Sequence, residues 1–174
     1  NASAAAVRSE RPTAANRSAR AMPQDSPRSG AARHDKYERL IQAARKLLRA
    51  VTAIVHPCDE ASLESAVEAA RLGIITPILV GPQAKIRAAA AKAKLDITSF
   101  EIIDTEHSHA AAAKAVELVR TGRAEALMKG SLHTDELMAA VVARDTGIRT
   151  ARRISHCFVM DVPNHANTLI ISDA

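Results

Sequence analysis

The stretch that decides the fold is residues 51–82, VTAIVHPCDEASLESAVEAARLGIITPILVGP. Its first part, residues 51–55, is a short apolar run closed by a His-Pro pair, which predicts a buried strand. A helix is then expected to begin near Asp59, whose carboxylate can cap it, and to end at Gly73. The apolar run 78–80, which a Gly-Pro pair stops, predicts a second buried strand. The stretch therefore indicates one strand-helix-strand unit.

The same alternation continues on both sides of this unit. An amphipathic helix precedes it, because apolar residues recur there at helical spacing: Tyr37, Leu40, Ile41, Ala44, Leu47 and Leu48. After the unit, the pattern predicts a helix over 83–94, a strand near 100–103, a helix over 108–120, a strand over 126–128 and a helix over 134–144. Such alternation is typical of an α/β fold in three layers, with helices on both faces of a mostly parallel sheet.

Two strand-like runs close the chain, at residues 155–162 and 168–172. The residues between them are too few for a crossover helix, so the runs should pair as an antiparallel hairpin. We expect this hairpin to make the sheet mixed. Cys157 lies in the first run, and we expect it to be an inert, packed thiol.

The first 34 residues differ in composition from the rest of the chain. They are rich in Ala, Ser, Arg and Pro and contain almost no large apolar side chains, which predicts a disordered tail or linker. Their arginine-rich make-up also fits an organelle transit peptide. We place the folded part of the chain at residues 35–174.

Charge and composition argue against a nucleic-acid partner. Residues 1–34 hold six arginines and two acidic residues, so they carry +4 of the net charge of +5. The remainder is nearly neutral, and only 2% of the chain is aromatic, whereas single-strand nucleic-acid binders combine a basic groove with stacking aromatic rings. No nucleic acid is therefore expected among the partners.

The cysteines and the hydropathy indicate the cellular compartment. Cys58 and Cys157 stand far apart in a chain without a secretory apolar segment, which favours a reducing, cytoplasmic compartment over a disulfide framework. No apolar run approaches the length of a membrane span. We expect a soluble chain with no membrane partner.

The segment 128–136, MKGSLHTDE, is the strongest candidate site because it leads from a strand through a glycine turn into a helix. Open α/β sheets bind ligands at such junctions, and free amide groups at a helix start favour an anion. The candidate substrate-binding residues here are Lys129, Gly130, Ser131, His133 and Thr134. The alternative is that the glycine merely ends a strand and that the polar residues are ordinary helix caps.

A second candidate site is the arginine cluster Arg149, Arg152 and Arg153, which precedes a predicted strand. Guanidinium groups can clamp phosphate oxygens in bidentate fashion, although such clusters are also common on solvated surfaces. No Walker A loop or dinucleotide fingerprint occurs in the sequence, which disfavours a nucleotide hydrolase or a classical dehydrogenase. The histidines match no closed zinc set, so no metal site is predicted, and caps or loop positions are expected for them.

Four segments together resemble one known family. They are VHPCDEASLESAVEAARLGIITPILVGP, IRAAA, EALMKGSLHTDELM and RRISHCFVMDVP, followed by LIISDA. Their order resembles the phosphate acetyl/butyryltransferases, most closely the bacterial members in which this region follows an enoyl-CoA hydratase domain and a linker. The similarity covers about residues 36–174. It implies an α/β fold like that of isocitrate and isopropylmalate dehydrogenases.

The resemblance also implies a chemistry: acyl-CoA and inorganic phosphate give acyl phosphate and CoA, with a short acyl chain such as acetyl or butyryl. It implies no cofactor and no metal, and a homodimer when the protein is complete. Residues 129–134 correspond to the loop that faces the cleft, together with Arg152 and Arg153. The family's second half, which supplies a Ser-Arg pair and an Asp at the reacting centre, has no counterpart here, so no catalytic residue is assigned.

Residues 35–174 thus correspond to the N-terminal, incomplete part of a catalytic domain. Two other functions stay open at this point. One is a non-catalytic module that binds an anion or CoA, or another protein, with half of the fold. The other is an oxidoreductase of the wider isocitrate dehydrogenase-like group, which the lack of a clustered set of metal-binding carboxylates disfavours.

Overall fold

The structure, a computed structural model, describes residues 35–163 and 165–172. Within these ranges, the helices are α1 Asp35–Ala44, α2 Glu60–Arg71, α3 Gln83–Lys92, α4 Ser108–Arg120 and α5 Thr134–Val142. The strands are β1 Ala50–Val55, β2 Ile75–Gly81, β3 Glu101–Asp104, β4 Ala126–Lys129, β5 Cys157–Met160 and β6 Leu169–Ser172. The interpretation of residues 1–34 as a tail or linker lies outside the described residues. No helix within the described ranges is long and apolar enough to cross a membrane.

The first four strands form a parallel sheet in the order β3-β2-β1-β4. The chain moves outward from β1 through β2 to β3 and then returns across the sheet to place β4 on the other side of β1. In the middle of the sheet, Ile54 of β1 pairs with Leu79 of β2 and with Met128 of β4. The strand order therefore reverses between β1 and β4.

Helices cover both faces of this sheet because successive strand residues point to opposite sides. On one face, Ala53 and Val55 of β1 pack with residues from α4 and α5, among them Ala111, Ala115 and Leu137. On the other face, Ile54 packs with α2 and α3 through Leu63, Val67 and Ile86. The predicted three-layer α/β fold is confirmed. Alanines on the helices let them lie close to the sheet, which suits a core with few aromatic rings.

The predicted ends of α2 are confirmed. Asp59 is the N-cap, and its side chain accepts a hydrogen bond of 2.8 Å from the backbone nitrogen of Ser62. Gly73, with φ of 76°, turns the chain into β2 just past the helix. At α4, His107 takes the capping position, where its Nδ1 accepts from the backbone nitrogen of Ala110 at 3.1 Å. This is one of the cap roles expected for the histidines.

The predicted hairpin forms, but the expectation of a mixed sheet is wrong. β5 and β6 pair antiparallel, with Phe158 opposite Ile171, in a separate two-stranded sheet. Cys157 is exposed rather than packed. The short connection determines that the two runs pair with each other, but it does not determine whether an edge of the main sheet receives them.

Helix α1 is shorter than predicted and leaves its apolar side chains open. It ends at Ala44, and Tyr37 and Leu40 stay about half exposed, at 50% and 52%. Its contact with the hairpin connection is polar. The buried ammonium of Lys36 lies 2.8 Å from Oδ1 of Asp161 and donates to the carbonyls of Val162 and His165.

Replacing Asp59 with alanine should lower the free energy of unfolding by about 1 kcal/mol, because the amide of Ser62 loses its acceptor. Asp59→Asn, which keeps a side-chain oxygen, should stay close to the wild type. Glu64→Ala, at an exposed position of the same helix, should change the stability by less than about 0.5 kcal/mol. Urea denaturation measures all three, and an unaffected Asp59→Ala would contradict the cap.

The stability conferred by Asp59 should depend on pH. Hydrogen bonds from the side chain and backbone of Ser62 lower the pKa of Asp59 below its ordinary 3.8. A carboxylate with a lowered pKa stabilises the fold above its unfolded pKa, and this contribution is lost as the pH falls through the folded value. The deficit of Asp59→Ala should therefore be complete at pH 7 and shrink below about pH 4. If the stability deficit of Asp59→Ala grew as the pH fell, the prediction would be wrong.

Candidate functional site

The candidate site lies at the carboxyl ends of β1 and β4, where the strand order of the sheet reverses. Ligands of open α/β sheets bind in the crevice outside such a reversal, because the two neighbouring strands lead to helices on opposite faces of the sheet. The chain leaves β1 through His56 and leaves β4 through Gly130. The topology thus brings the predicted loop 129–134 next to the residues that follow β1.

The two exit loops approach each other at backbone distance. The backbone nitrogen of Gly130 donates to the carbonyl of Val55 at 2.9 Å, and that of Ser131 donates to the carbonyl of His56 at 3.0 Å. A Cβ atom at Gly130 would lie 2.5 Å from the oxygen of Val55 and 2.7 Å from that of His56. Only glycine fits at this position, because the space for a side chain is taken by the backbone of the β1 exit loop.

Ser131 joins the same two loops through its side chain. Its Oγ donates to the carbonyl of His56 at 2.8 Å and accepts from the backbone nitrogen of Cys58 at 3.3 Å. Nδ1 of His56 lies 3.2 Å from Oγ of Ser131. The hydroxyl predicted to bind substrate is therefore engaged by the β1 exit loop, so any contribution to binding would pass through its neighbours.

His56 is the site residue that the sequence did not reveal. Its φ is 54°, in the left-handed region, although residues before a proline are usually extended. Gly81 makes room for it, since a Cβ there would lie 3.2 Å from its Cα. Strained backbone of this kind is concentrated at functional sites. The His-Pro pair indicated only the end of a strand, and no local sequence signal predicts the left-handed backbone.

Some charges near His56 lower its pKa and others raise it. Burial lowers its pKa below the ordinary 6.5, and the charge of Lys85 adds to this effect, whereas Glu136 and Asp59 oppose it. Beside it, burial raises the pKa of the Cys58 thiol, which keeps that thiol protonated. A protonated thiol is a poor nucleophile, so the geometry does not support covalent catalysis by Cys58.

The start of α5 already carries a carboxylate of the protein. Glu136 accepts from the backbone nitrogen of His133, the N-cap residue, at 3.4 Å and from Oγ of Ser108 at 2.5 Å. Nδ1 of His109 lies 2.6 Å from Oε1 of Glu136, and the hydrogen bond from Ser108 is the main cause of the lowered pKa of Glu136. An external anion beside His133 and Thr134 would meet this negative charge. Their role in binding stays a prediction.

Lys129 is the last residue of β4 and is exposed. Its Nζ donates to the carbonyl of Gly130 at 3.2 Å, and its charge contributes to lowering the pKa of Asp59. A cavity of ≈ 410 Å³ begins beside Asp59 and Cys58 and is also lined by Lys85 and Lys92. Lys92 is ion-paired with Glu60, which lines the same cavity, so Lys85 is the ammonium group of this lining that can meet an anionic ligand.

The two predicted candidate sites do not share a cavity. Arg152 and Arg153 are exposed and, with Arg149, line a cavity of ≈ 530 Å³ in the segment after α5. This cavity also includes Val142 and Ile154, whereas the cavity beside the β1 exit loop is lined by other residues. The structure brings residues 129–134 to His56 and places the arginines elsewhere, where their predicted role is untested.

A third cavity, of ≈ 420 Å³, lies near the amino end of β2 among Arg49, Arg71 and Asp96. We place the site at the opposite end of the sheet, because the loops that follow the strands provide the ligand crevice in open α/β folds. In the part of the chain that the structure describes, no three His, Cys, Asp or Glu side chains are grouped so as to hold a metal ion.

Comparison with known proteins finds relatives of this chain. No family model matches the chain. It is 64% identical over 143 residues to a phosphate acetyltransferase of Rhizobium meliloti, which covers 82% of this chain and 45% of that protein. It is 33% identical over 138 residues to a phosphate butyryltransferase of Clostridium beijerinckii, covering 79% of this chain and 46% of that protein. The chain therefore spans a little under half the length of these relatives.

A solved structure shows the same fold. The chain is similar to a phosphotransacetylase from Streptococcus pyogenes, with a TM-score of 0.62 and 15% sequence identity, over 76% of this chain and 50% of the other. At this identity the likeness concerns the fold alone.

Replacing Gly130 with alanine should destabilise the chain by about 3 kcal/mol or more, because the new Cβ meets two backbone carbonyls that the sheet holds in place. The matched control is Gly122→Ala, where φ is 74° but nothing lies within 4 Å of the added atom. That change should cost only about 1 kcal/mol, from backbone strain alone. Urea denaturation compares the two, and equal losses would show that the exit loops are farther apart than described.

Proposed function

Because the chain belongs to the family of the phosphate acetyltransferases and phosphate butyryltransferases, we propose that it forms the N-terminal part of the catalytic domain of a phosphate acyltransferase. The observation that carries this proposal is the 64% identity to the Rhizobium meliloti enzyme over 143 residues. The proposed reaction transfers a short acyl group, such as acetyl or butyryl, from CoA to inorganic phosphate.

In this reaction a phosphate oxygen attacks the thioester carbonyl, a C–O bond forms, the C–S bond breaks and the thiolate of CoA leaves. Two substrates must be held together while negative charge develops on the carbonyl oxygen and the sulfur. Positioning and fixed positive charge are the means by which a protein accelerates such a step. We propose that this chain contributes both to the positioning of the substrates and to the fixed positive charge.

The exit loop of β4 suits that role. Lys129 places a positive charge at the strand end, and Gly130 lets the backbone lie close to a bound group. Lys85 brings a second ammonium from α3 to the cavity beside Asp59, a carboxylate whose pKa the charge of Lys129 also helps to lower. Arg152 and Arg153 are proposed as a further phosphate-binding group only in the whole protein, since they line a separate cavity of this chain.

The remaining expectations are part of the same proposal. The chemistry requires no metal and no cofactor besides the two substrates, acyl-CoA and phosphate. A homodimer of the whole protein and a cytoplasmic location, expected from the sequence, also stay proposals. The groups that contact the reacting atoms are assigned to the part of the relatives that this chain does not span.

The transfer activity should appear only when the missing part is restored. The 174-residue chain alone should release no CoA thiol from acetyl-CoA or butyryl-CoA, because a misplacement of ~1 Å can reduce the rate on the order of a hundredfold. A chimera with the unmatched part of the Rhizobium meliloti relative should release it in a phosphate-dependent manner. Robust release by the short chain would show that it holds a complete site. A folded chimera that binds CoA without transfer would support the non-catalytic alternative.

In the same chimera, Lys129→Met should lower kcat/KM by on the order of 10²-fold, because one fixed positive charge is removed from the cleft. The control is Lys46→Met, which removes an exposed lysine just after α1 that is not one of the cleft residues. It should leave the rate unchanged. Equal rates for both variants would remove Lys129 from the site.

A further inference from the structure

The hydroxyl of Ser131 has one proton, and the geometry determines where that proton lies. Oγ is 2.8 Å from the carbonyl oxygen of His56, the ordinary length of an O–H···O hydrogen bond. A carbonyl oxygen can only accept. Two oxygens at this distance without a proton between them would repel each other, so the hydroxyl donates to the carbonyl and has no second proton to give.

The tautomer of His56 follows from this assignment. Nδ1 lies 3.2 Å from Oγ of Ser131, and one of the two atoms must donate. Since the hydroxyl proton is already used, Nδ1 carries the hydrogen. In the neutral ring the other nitrogen, Nε2, then holds a lone pair and can only accept. Among the described residues, no group is hydrogen-bonded to Nε2.

The surroundings favour the neutral ring. Three charged groups face His56 from the packed elements: Asp59 before α2, Lys85 on α3 and Glu136 on α5. Burial and Lys85 lower the His56 pKa more than the two carboxylates raise it. The ring is therefore neutral at pH 7, and its left-handed backbone and Ser131 hold it in one orientation.

We propose that Ser131 is a positioning residue that fixes His56 in the Nδ1–H tautomer, so that Nε2 accepts a hydrogen bond from the protonated oxygen of a bound phosphate. This inference rests on the proposed function for the identity of the ligand. At neutral pH inorganic phosphate keeps at least one O–H, whereas sulfate, of the same shape, keeps none. The positive charge of Lys85 acts on the His56 ring, and an acceptor within that field matches an oxyanion that still carries a proton.

The test uses the 174-residue chain with ¹⁵N-labelled histidine and follows the two ring nitrogens by NMR. In the free protein at pH 7, His56 should show a protonated Nδ1 and an unprotonated Nε2. Phosphate should shift the Nε2 resonance of His56 in a saturable manner, and sulfate at the same concentration and ionic strength should shift it at least several-fold less. A protonated Nε2, or equal responses to the two anions, would overturn the proposal.

Two variants separate positioning from folding. Ser131→Ala should leave the backbone amide spectrum unchanged outside the two exit loops, while the Nδ1–H preference and the difference between phosphate and sulfate are lost. Ser131→Thr, which keeps the hydroxyl, should restore both. An alanine variant that keeps the tautomer and the anion preference would show that Ser131 does not position the ring.

The pH dependence gives an independent readout. Protonation makes Nε2 a donor that attracts both anions, so the preference for phosphate should disappear as the pH falls through the His56 pKa, below the ordinary 6.5. A preference that persists in acid would contradict acceptance by Nε2. Because this readout needs no turnover, a chimera without transfer activity would defeat the proposed function and leave the tautomer result standing.

Discussion

The rest of the site depends on the contact between the exit loops of β1 and β4. Past the ends of the strands, two backbone hydrogen bonds continue the pairing, from Gly130 to Val55 and from Ser131 to His56. They bring the two backbones so close that a side chain at Gly130 would not fit. This contact positions Ser131 and His56, because both residues lie on the loops that it joins.

The polar groups of the cleft are satisfied mainly by one another. Glu136 accepts from the backbone nitrogen of His133 and contacts the side chains of Ser108 and His109 at the start of α4. Ser131 is hydrogen-bonded through its Oγ to the carbonyl of His56 and to the backbone nitrogen of Cys58 in the β1 exit loop. Such a network holds the loops still, since a buried or half-buried polar group is stable only when its bonds are made. Among the described residues of the cleft, Lys85 and Nε2 of His56 are left to meet a ligand, whereas Lys129 donates to the carbonyl of Gly130 and Lys92 is paired with Glu60.

A different part of the chain shows how much of its apolar surface the fold leaves uncovered. Phe158, Val159, Ile170 and Ile171 of the hairpin are all more than 40% exposed, and α1 is held to the hairpin connection by the buried ammonium of Lys36. The main sheet does not need these elements for its own two cores. This division agrees with a chain that spans a little under half the length of its relatives.

The amino-acid sequence was enough to predict the elements and layers of the main sheet, because hydrophobic periodicity and helix caps act over a few residues. Asp59, Gly73 and the boundaries of α4 were all predictable from such local signals. It also indicated the loop around Gly130 and the family. The sequence did not reveal that β4 returns to the side of β1 or that His56 adopts a left-handed backbone. Nor did it reveal that Glu136 contacts Ser108 and His109 of α4 or that the hairpin forms its own sheet. Each of these depends on contacts between residues far apart in the chain, which no local pattern records.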